Sequence, residues 1–352
     1  MSINSATKAG ISVFASNIYN SLTKEISTDR RIKAYFNPFS VIGKVGFKRK
    51  IISLLRQAYN ELIIFAGNNI DFYYFPSTEI PLSILLFKRK FGITVYDLAA
   101  WHNKGITTKY ANFRMKLLPI AINRAEKIFT ISQYSKKDIS LTFKKDLSKI
   151  IVLEAGLKQD FLLQDKENND EKFFTPELYL LNVGSLEPRK NIIFLINVFE
   201  LLLESLNNNF KEKLMLVLTG GESWNFNPIK ERIKNSPYKN KILILGMVES
   251  NFLPKLYKNA VAMVYPSIAE GFGIPVIESL SQGTPVYIQN NTSLTQFKDF
   301  GANVMDNFNE DERVKEIKKC IECKQRVDKD MIKKVKESFS WAYSAEKLIA
   351  SI

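Results

Sequence analysis

The chain reads as an α/β protein built on two doubly wound parallel sheets. Three observations lead there. Its 352 residues are too many for one ordinary core and suit two domains. Short apolar runs alternate throughout with longer amphipathic segments, the pattern of βαβ units. The candidate strands fall into two sets of about five, separated by a polar stretch near the middle of the chain.

The first set of strands is Leu62 to Ala66, Phe72 to Phe75, Ile93 to Tyr96, Ile128 to Ser132 and Ile150 to Leu153. The second is Leu178 to Val183, Leu214 to Thr219, Ile242 to Leu245, Val261 to Tyr265 and Pro285 to Ile288. Between the sets, Gln159 to Thr175 is rich in Asp, Lys and Asn, and reads as connecting chain. The expected division is therefore residues 1–160, a linker at 161–175, a second domain at 176–335, and a final helical segment at 336–352. Asn191 to Leu203 is apolar around most of a helical surface and is expected to be buried. Pro275 to Leu280 opens with proline in its first turn, where a missing N–H costs nothing. Met331 to Ile349 reads as one long helix containing Phe339 and Trp341.

Composition narrows the class. With 45% hydrophobic and 12% aromatic residues the chain is globular, not disordered. Its longest apolar runs, at 80–87 and 192–199, fall short of the ~18–20 residues of a membrane span. The first 30 residues make a poor signal peptide, so a cytoplasmic location is expected. The two cysteines, Cys320 and Cys323, have no second pair beside them, and the single histidine, His102, is remote in sequence. A zinc site needs about four ligands, so none is expected. Net charge is +14, and residues 1–170 carry 26 Lys and Arg against 14 Asp and Glu. That asymmetry points the first half at an anionic surface or ligand. No nucleic-acid module or basic–aromatic repeat is visible. The basic amphipathic run Lys44 to Arg56 suits an anionic leaflet, so a peripheral contact with the inner face of the cytoplasmic membrane is expected there. A plain half-buried helix explains the same run equally well.

The chemistry concentrates in two segments. In Tyr265-Pro266-Ser267-Ile268-Ala269-Glu270-Gly271-Phe272-Gly273-Ile274-Pro275-Val276-Ile277-Glu278, a strand, a glycine-rich turn and a helix start follow one another. A helix N-terminus leaves backbone N–H groups free and carries partial positive charge. Gly271 and Gly273 let a ligand approach the backbone closely. Glu270 stands at the strand end, where open α/β sheets bind ligands. Glu278 lies one turn into the helix, where its carboxylate can accept both hydrogen bonds of a ribose diol. The second segment runs from Asn182 to Asn191, with Gly184, Ser185, Arg189 and Lys190 after a strand. Arg offers a planar fork and Lys a point charge for a pyrophosphate. The dinucleotide fingerprint G-x-G-x-x-G is missing. Asp328-Lys329-Asp330 is formally a D-x-D, but it lies in a charged helical tail and not at a strand end.

These two segments resemble the family 4 retaining glycosyltransferases of the GT-B fold, of the kind that build bacterial surface polysaccharides. The similarity extends over most of the chain. Gly246-Met247-Val248 with Leu253, Leu256 and Tyr257 is similar to the family's segment near the base, and Gly283-Thr284-Pro285-Val286 follows the second glutamate as it does in the family. Tyr96-Asp97-Leu98 and Ile128 to Ser135 match more loosely. The resemblance implies two Rossmann-like domains facing each other across a cleft, with the last helix returning to the first domain. It implies that Arg189 and Lys190 bind the donor diphosphate and that Glu270 contacts the transferred sugar. The backbone at Gly271, Phe272, Gly273 and Ile274 would assist, with Gly184, Ser185 and Val248 also lining the donor. Glu278 would hold the ribose, and Gly10 would match a small-residue loop near the phosphates. On the acceptor side, Tyr96 stands where the family has histidine, beside Asp97, the ionisable catalytic candidate there, with His102 six residues on. Gln296 stands where the family has glutamate. Nine mostly polar residues precede Gly10, so the usual first strand is expected to be missing.

The implied reaction is transfer of a hexose or deoxyhexose, with retention and without a metal or other cofactor. The donor would be a GDP- or UDP-sugar, with mannose favoured. The acceptor would be a glycan or polyprenyl-pyrophosphate-linked glycan, in lipopolysaccharide O-antigen or capsule synthesis. The alternative is a degenerate relative that binds sugar nucleotide or glycan without turnover.

Overall fold

The structure is a computed structural model that describes residues 10–26, 58–59, 61–62, 64–65, 70–78, 80–87, 89–102, 109–162, 176–223 and 225–352. The chain divides into two compact units, one running up to Gly156 together with Ser340–Ile352, the other spanning Leu157–Phe339. The division thus falls at Gly156 and Phe339, against expected boundaries of 160 and 336. Gln159–Leu162, expected as the start of connecting chain, forms a short helix whose Phe161 is buried against Tyr257. The rest of the expected linker and the basic run at 44–56 lie outside the described residues.

The first unit holds a parallel sheet in the order β1 (Tyr73–Phe75), β2 (Phe91–Thr94), β3 (Lys127–Thr130) and β4 (Ile150–Val152). Strands buried on both faces read as continuous apolar runs, and Phe91, Ile93, Ile128 and Ile150 all reach the core. The stretch Leu62 to Ala66, expected as a strand, is helical where described. Leu62 and Phe65, three apart, share an exposed face while Ile64 is buried. That is the period of a helix, not the alternation of a strand. The helix Gly10–Ile26 packs on the C-terminal helix Trp341–Ala350 through Phe14, whose ring meets Trp341 edge-on at 5.4 Å. Gly10, expected in a loop, opens that helix. The segment where a first strand was expected to be missing, residues 1–9, lies outside the described residues.

The second unit carries a six-stranded parallel sheet: β5 (Leu178–Val183), β6 (Leu214–Thr219), β7 (Ile242–Gly246), β8 (Ala262–Tyr265), β9 (Val286–Gln289) and β10 (Asn303–Met305). Their spatial order is β10-β9-β8-β5-β6-β7. The first three run outward one way from β5 and the next three run outward the other way from β8. This is the doubly wound order, with its reversal between β5 and β8. β10 has only three residues, too few for a periodic signal, and is paired to β9 at Asn303 and Tyr287. The helix Ile192–Ser205 buries eight apolar side chains, as its all-round pattern requires. Fully burying each such side chain is worth about 1.5–3 kcal/mol.

The long terminal helix expected over Met331 to Ile349 is two helices, Lys329–Ser338 and Trp341–Ala350. Phe339 leaves helical geometry and is buried against the rings of Phe272, Phe297 and Phe300. Ser340 then caps the next helix by accepting from the Tyr343 N–H. Burial of one aromatic ring outweighs the continuous helical pattern. Asp328 of the D-x-D caps the first of these helices by accepting from the Asp330 N–H at 2.8 Å. Among the described residues no helix is long and apolar enough to cross a membrane.

Phe339→Ala removes the side chain that joins three aromatic partners beside the glycine-rich turn. It is expected to destabilise the protein by about 3–5 kcal/mol. Urea denaturation followed by tryptophan fluorescence checks this, and a loss below about 1 kcal/mol would sink the packing argument.

Candidate functional site

Because β5 and β8 are neighbours, with Leu180 and Leu181 in register with Ala262 and Met263, the loops that leave their C-terminal ends emerge side by side. Asn182 reinforces the seam by donating to the Val264 carbonyl at 2.8 Å. This is the crevice that doubly wound sheets use for ligands. Each loop carries one of the two chemistry-bearing segments. Lengthwise they are 80 residues apart, and only the strand order brings them together.

The β5 loop begins at Gly184 and Ser185, then closes in a single turn, Pro188–Lys190, ending at Asn191 in the left-handed region (φ 54°). Asparagine tolerates that region better than most residues. The loop is fastened to the one after β6: Leu186 N–H donates to the Gly221 carbonyl at 3.0 Å. A Cβ on Gly220 would lie 1.9 Å from the Gly184 carbonyl oxygen, so only glycine permits this approach.

Arg189 and Lys190 meet Glu270 from the β8 loop. Lys190 Nζ and Glu270 Oε1 form an ion pair, with side-chain exposures of 8% and 9%. Arg189 Nη1 donates to Glu270 Oε2 at 3.1 Å and to the Ala269 carbonyl at 2.7 Å. Two further donors converge on Oε1: Ser267 Oγ at 2.6 Å and Tyr265 OH at 2.9 Å. Lys190 Nζ also donates to Tyr265 OH at 2.7 Å. Burial alone would push the Glu270 carboxyl up. The charges of Lys190 and Arg189, with hydrogen bonds from Lys190 and Ser267, outweigh burial and hold it well below the usual range. Burial lowers the Lys190 ammonium against the pull of Glu270, and the charge of Arg189 lowers it further. Burial and the neighbouring carboxylate raise Tyr265 well above its ordinary value, so it remains a donor.

Downstream of Glu270, the turn Gly271-Phe272-Gly273 is buried and feeds the helix Ile274–Ser281. Gly273 has φ 108°, and a Cβ there would meet Leu294 at 2.7 Å. Phe272 is buried, edge-on to Phe297 at 5.4 Å. Ser293 braces the backbone by donating to the Glu270 and Phe272 carbonyls at 2.8 and 3.2 Å. Ile274 and Pro275 are half-buried at the helix start. Glu278, on the fifth residue of the helix, is buried and accepts from Tyr257 OH at 2.8 Å. Burial pushes its carboxyl up to about 7, against the Tyr257 hydrogen bond and the charge of Lys158. Lys158 itself donates to Ser250 at 3.3 Å, in the loop after β7 that contains the half-buried Val248.

The sequence pattern missed Glu187, Tyr257, Tyr265 and Ser267. Tyr265 and Ser267 flank Pro266 inside the segment already singled out, so proximity to Glu270 was their signal. Glu187 lies inside the Asn182 to Asn191 segment and Tyr257 in the segment that resembles the family's near the base, but neither pattern names the partner each takes. Within the first unit, Tyr96 OH donates to the Pro76 carbonyl at 2.6 Å, and its ring meets Phe14 edge-on. The Asp97 carboxylate accepts from the Ala99 N–H at 3.0 Å, at the start of the short helix Ala99–His102. His102 is exposed and pairs through Nε2 with the Asp138 carboxylate at 2.9 and 3.1 Å. Pro76, Ala99 and Asp138 are thus partners of Tyr96, Asp97 and His102 respectively.

Residues 164–338 match the family described as glycosyl transferases group 1. The match covers both chemistry-bearing loops and the sheet that aligns them. This segment belongs to the glycosyl transferases group 1. Curated relatives of this chain include O-antigen chain mannosyltransferase B of Escherichia coli. It is 28% identical over 209 residues, 58% of this chain and 52% of that protein. O-antigen chain mannosyltransferase RfbU of Salmonella typhimurium is 31% identical over 198 residues, covering 56% and 51%. The chain spans about half the length of these relatives. Among solved structures, HepE of Anabaena in complex with UDP and glucose aligns with a TM-score of 0.71 at 14% identity, covering 99% of this chain and 97% of that one. WaaG, a glycosyltransferase involved in lipopolysaccharide biosynthesis, aligns at 0.68 and 13% identity, covering 98% and 96%. The fold is GT-B.

The raised Glu278 carboxyl carries a stability consequence. Between its unfolded value near 4.5 and about 7, the folded state holds a proton that the unfolded state has lost. Stability therefore falls as pH rises through that window. Glu278→Gln removes the titration and is expected to raise thermal stability more at pH 8 than at pH 5, by roughly 2–3 kcal/mol. Equal shifts at both pH values would refute this.

Proposed function

We propose that this chain transfers a hexose, with mannose favoured, from a nucleotide-diphosphate sugar to a glycan or lipid-linked acceptor, in surface-polysaccharide synthesis. The observation that carries the reading is the convergence of Lys190, Arg189 and Glu270 at the sheet's switch point, beside the Gly271-Phe272-Gly273 turn and its helix N-terminus. The names of the mannosyltransferase relatives support the sugar. The UDP and glucose in HepE support the donor class, a GDP- or UDP-sugar.

In this reading the diphosphate lies against Arg189, Lys190 and the N–H groups at the head of the Ile274–Ser281 helix. Glu270, held ionised from both sides, receives hydroxyls of the transferred sugar. Glu278 receives the ribose diol. Transfer with retention breaks the bond between the anomeric carbon and the phosphate oxygen. The acceptor oxygen bonds the carbon on the same face, and its proton passes to the leaving phosphate. The protein's task is to stabilise negative charge growing on that phosphate, in a site where the groups are already placed. Buried Lys190 performs it at little reorganisation cost, because its ammonium is fixed by Tyr265 and Glu270.

Lys190→Ala is expected to lower turnover of the donor by about 10²–10³-fold, or about 3–4 kcal/mol. Steady-state kinetics with GDP-mannose and an acceptor glycan test it, and a loss below fivefold would remove Lys190 from the machinery. With the diphosphate held by Arg189, Lys190 and the helix N-terminus, activity is expected to survive EDTA dialysis. Activity lost to EDTA and restored by Mg²⁺ or Mn²⁺ would overturn metal independence. The anomeric coupling of the product by NMR reads out retention. A second reading, binding without turnover, draws on Tyr96, which replaces the family's histidine and directs its hydroxyl to Pro76. Nucleotide-sugar binding by calorimetry with no transfer to any acceptor would decide for it.

A further inference from the structure

We infer that Glu187 is a positioning residue of the donor site, and that its carboxylate tunes the charge of the site as well as the aim of Arg189. The inference rests on the donor-site reading above.

Glu187 is 7% exposed, two residues before Arg189. Its Oε1 accepts from both Arg189 Nη2 at 2.8 Å and Nε at 3.1 Å. Its Oε2 accepts from Ser223 Oγ at 3.3 Å, in the loop after β6. The guanidinium is thus gripped along one edge by Glu187. Its Nη1 is thereby turned to the β8 loop, where it reaches the Ala269 carbonyl and Glu270. An arginine held by one nitrogen pivots; one held along an edge by a buried carboxylate is aimed.

The same contacts fix the electrostatic balance. Arg189 and Lys190 bring two positive charges, Glu187 and Glu270 two negative ones, and all four groups are linked by hydrogen bonds or ion pairs. The four side chains are neutral as a set before any diphosphate arrives. The carboxylates occupy the cations in its absence, which lets Lys190 be buried at all. Glu270 is needed opposite the sugar. Among the described residues the Glu187 carboxylate accepts from Arg189 and Ser223, so its charge opposes diphosphate binding while its shape assists it. Charge and shape therefore act in opposite directions and can be separated by substitution.

Binding of GDP, UDP and inorganic pyrophosphate to the wild-type chain and its variants, by calorimetry, tests this. Glu187→Gln keeps a carbonyl oxygen for Arg189 but removes the charge. It is expected to bind the diphosphate about tenfold more tightly, with a thermal midpoint within a few degrees of wild type. Glu187→Ala loses the anchor as well and is expected to bind no more tightly than wild type. A role confined to holding the fold predicts weaker binding in both variants, with lowered midpoints, and that result overturns the inference. Should the single variant not fold, the double variant Glu187→Gln with Arg189→Gln is compared with Arg189→Gln alone. The double variant is expected to bind more tightly, and equal or weaker binding overturns the inference. If wild type binds none of the three probes, the donor-site reading itself falls. If wild type binds and Glu187→Gln does not tighten binding, only the role of Glu187 falls.

Discussion

A lysine and a glutamate that are each less than a tenth exposed stay ionised only because they have each other and a set of further donors. Lys190 and Glu270 are in that position. Removing both charges from water costs several kcal/mol per ion, and their attraction offsets that cost only with good geometry and satisfied hydrogen bonds. Tyr265, Ser267 and Arg189 supply those bonds. Much of the second unit serves this requirement. The neighbouring strands β5 and β8 bring the two loops together, and the Gly184–Gly220 contact anchors one of them. Ser293 and the Phe272–Phe297–Phe339 ring cluster anchor the other. A looser frame would leave two buried charges unpaired.

The two glutamates eight residues apart, Glu270 and Glu278, show how environment separates like groups. Both are buried carboxyls on one turn-and-helix segment. Glu270 faces two cations and is driven down; Glu278 faces a tyrosine hydroxyl and a more distant lysine, and burial drives it up to about 7. One is a permanent anion, and the other sits near its titration point at neutral pH. In the proposed reaction the permanent anion meets the transferred sugar and the titrating one meets the ribose.

Five of the six strands of the second unit were legible because parallel strands buried on both faces are unbroken apolar runs, and β5 and β6 begin and end where those runs do; the three-residue β10 was not. Errors arose where the folded chain overrode a local pattern. Leu62 to Ala66 has strand-like composition, but exposed Leu62 and Phe65 with buried Ile64 follow a helical period. Met331 to Ile349 has a helical pattern throughout, yet one buried ring at Phe339 breaks it. The paired cations and the two glutamates of the site were visible as motifs. The pairings Glu187–Arg189 and Tyr257–Glu278 were not, because lying in a motif does not tell a side chain's partner until the chain is folded.

By itself the sequence determined the two-sheet class, five of the six strands of the second unit and the residue types able to handle a sugar diphosphate, because apolar periodicity and loop chemistry are local properties. It also placed Glu270, Gly271, Gly273 and Glu278 on one strand–turn–helix segment, since their spacing is short. Only the tertiary structure decided that β5 lies beside β8, and hence that Arg189 and Lys190 meet a carboxylate 80 residues away. Strand order depends on how whole helices and sheets bury one another, and no local stretch encodes it. The ionisation of Lys190, Glu270 and Glu278 follows from the same source, because burial and neighbouring charge exist only once the chain is folded.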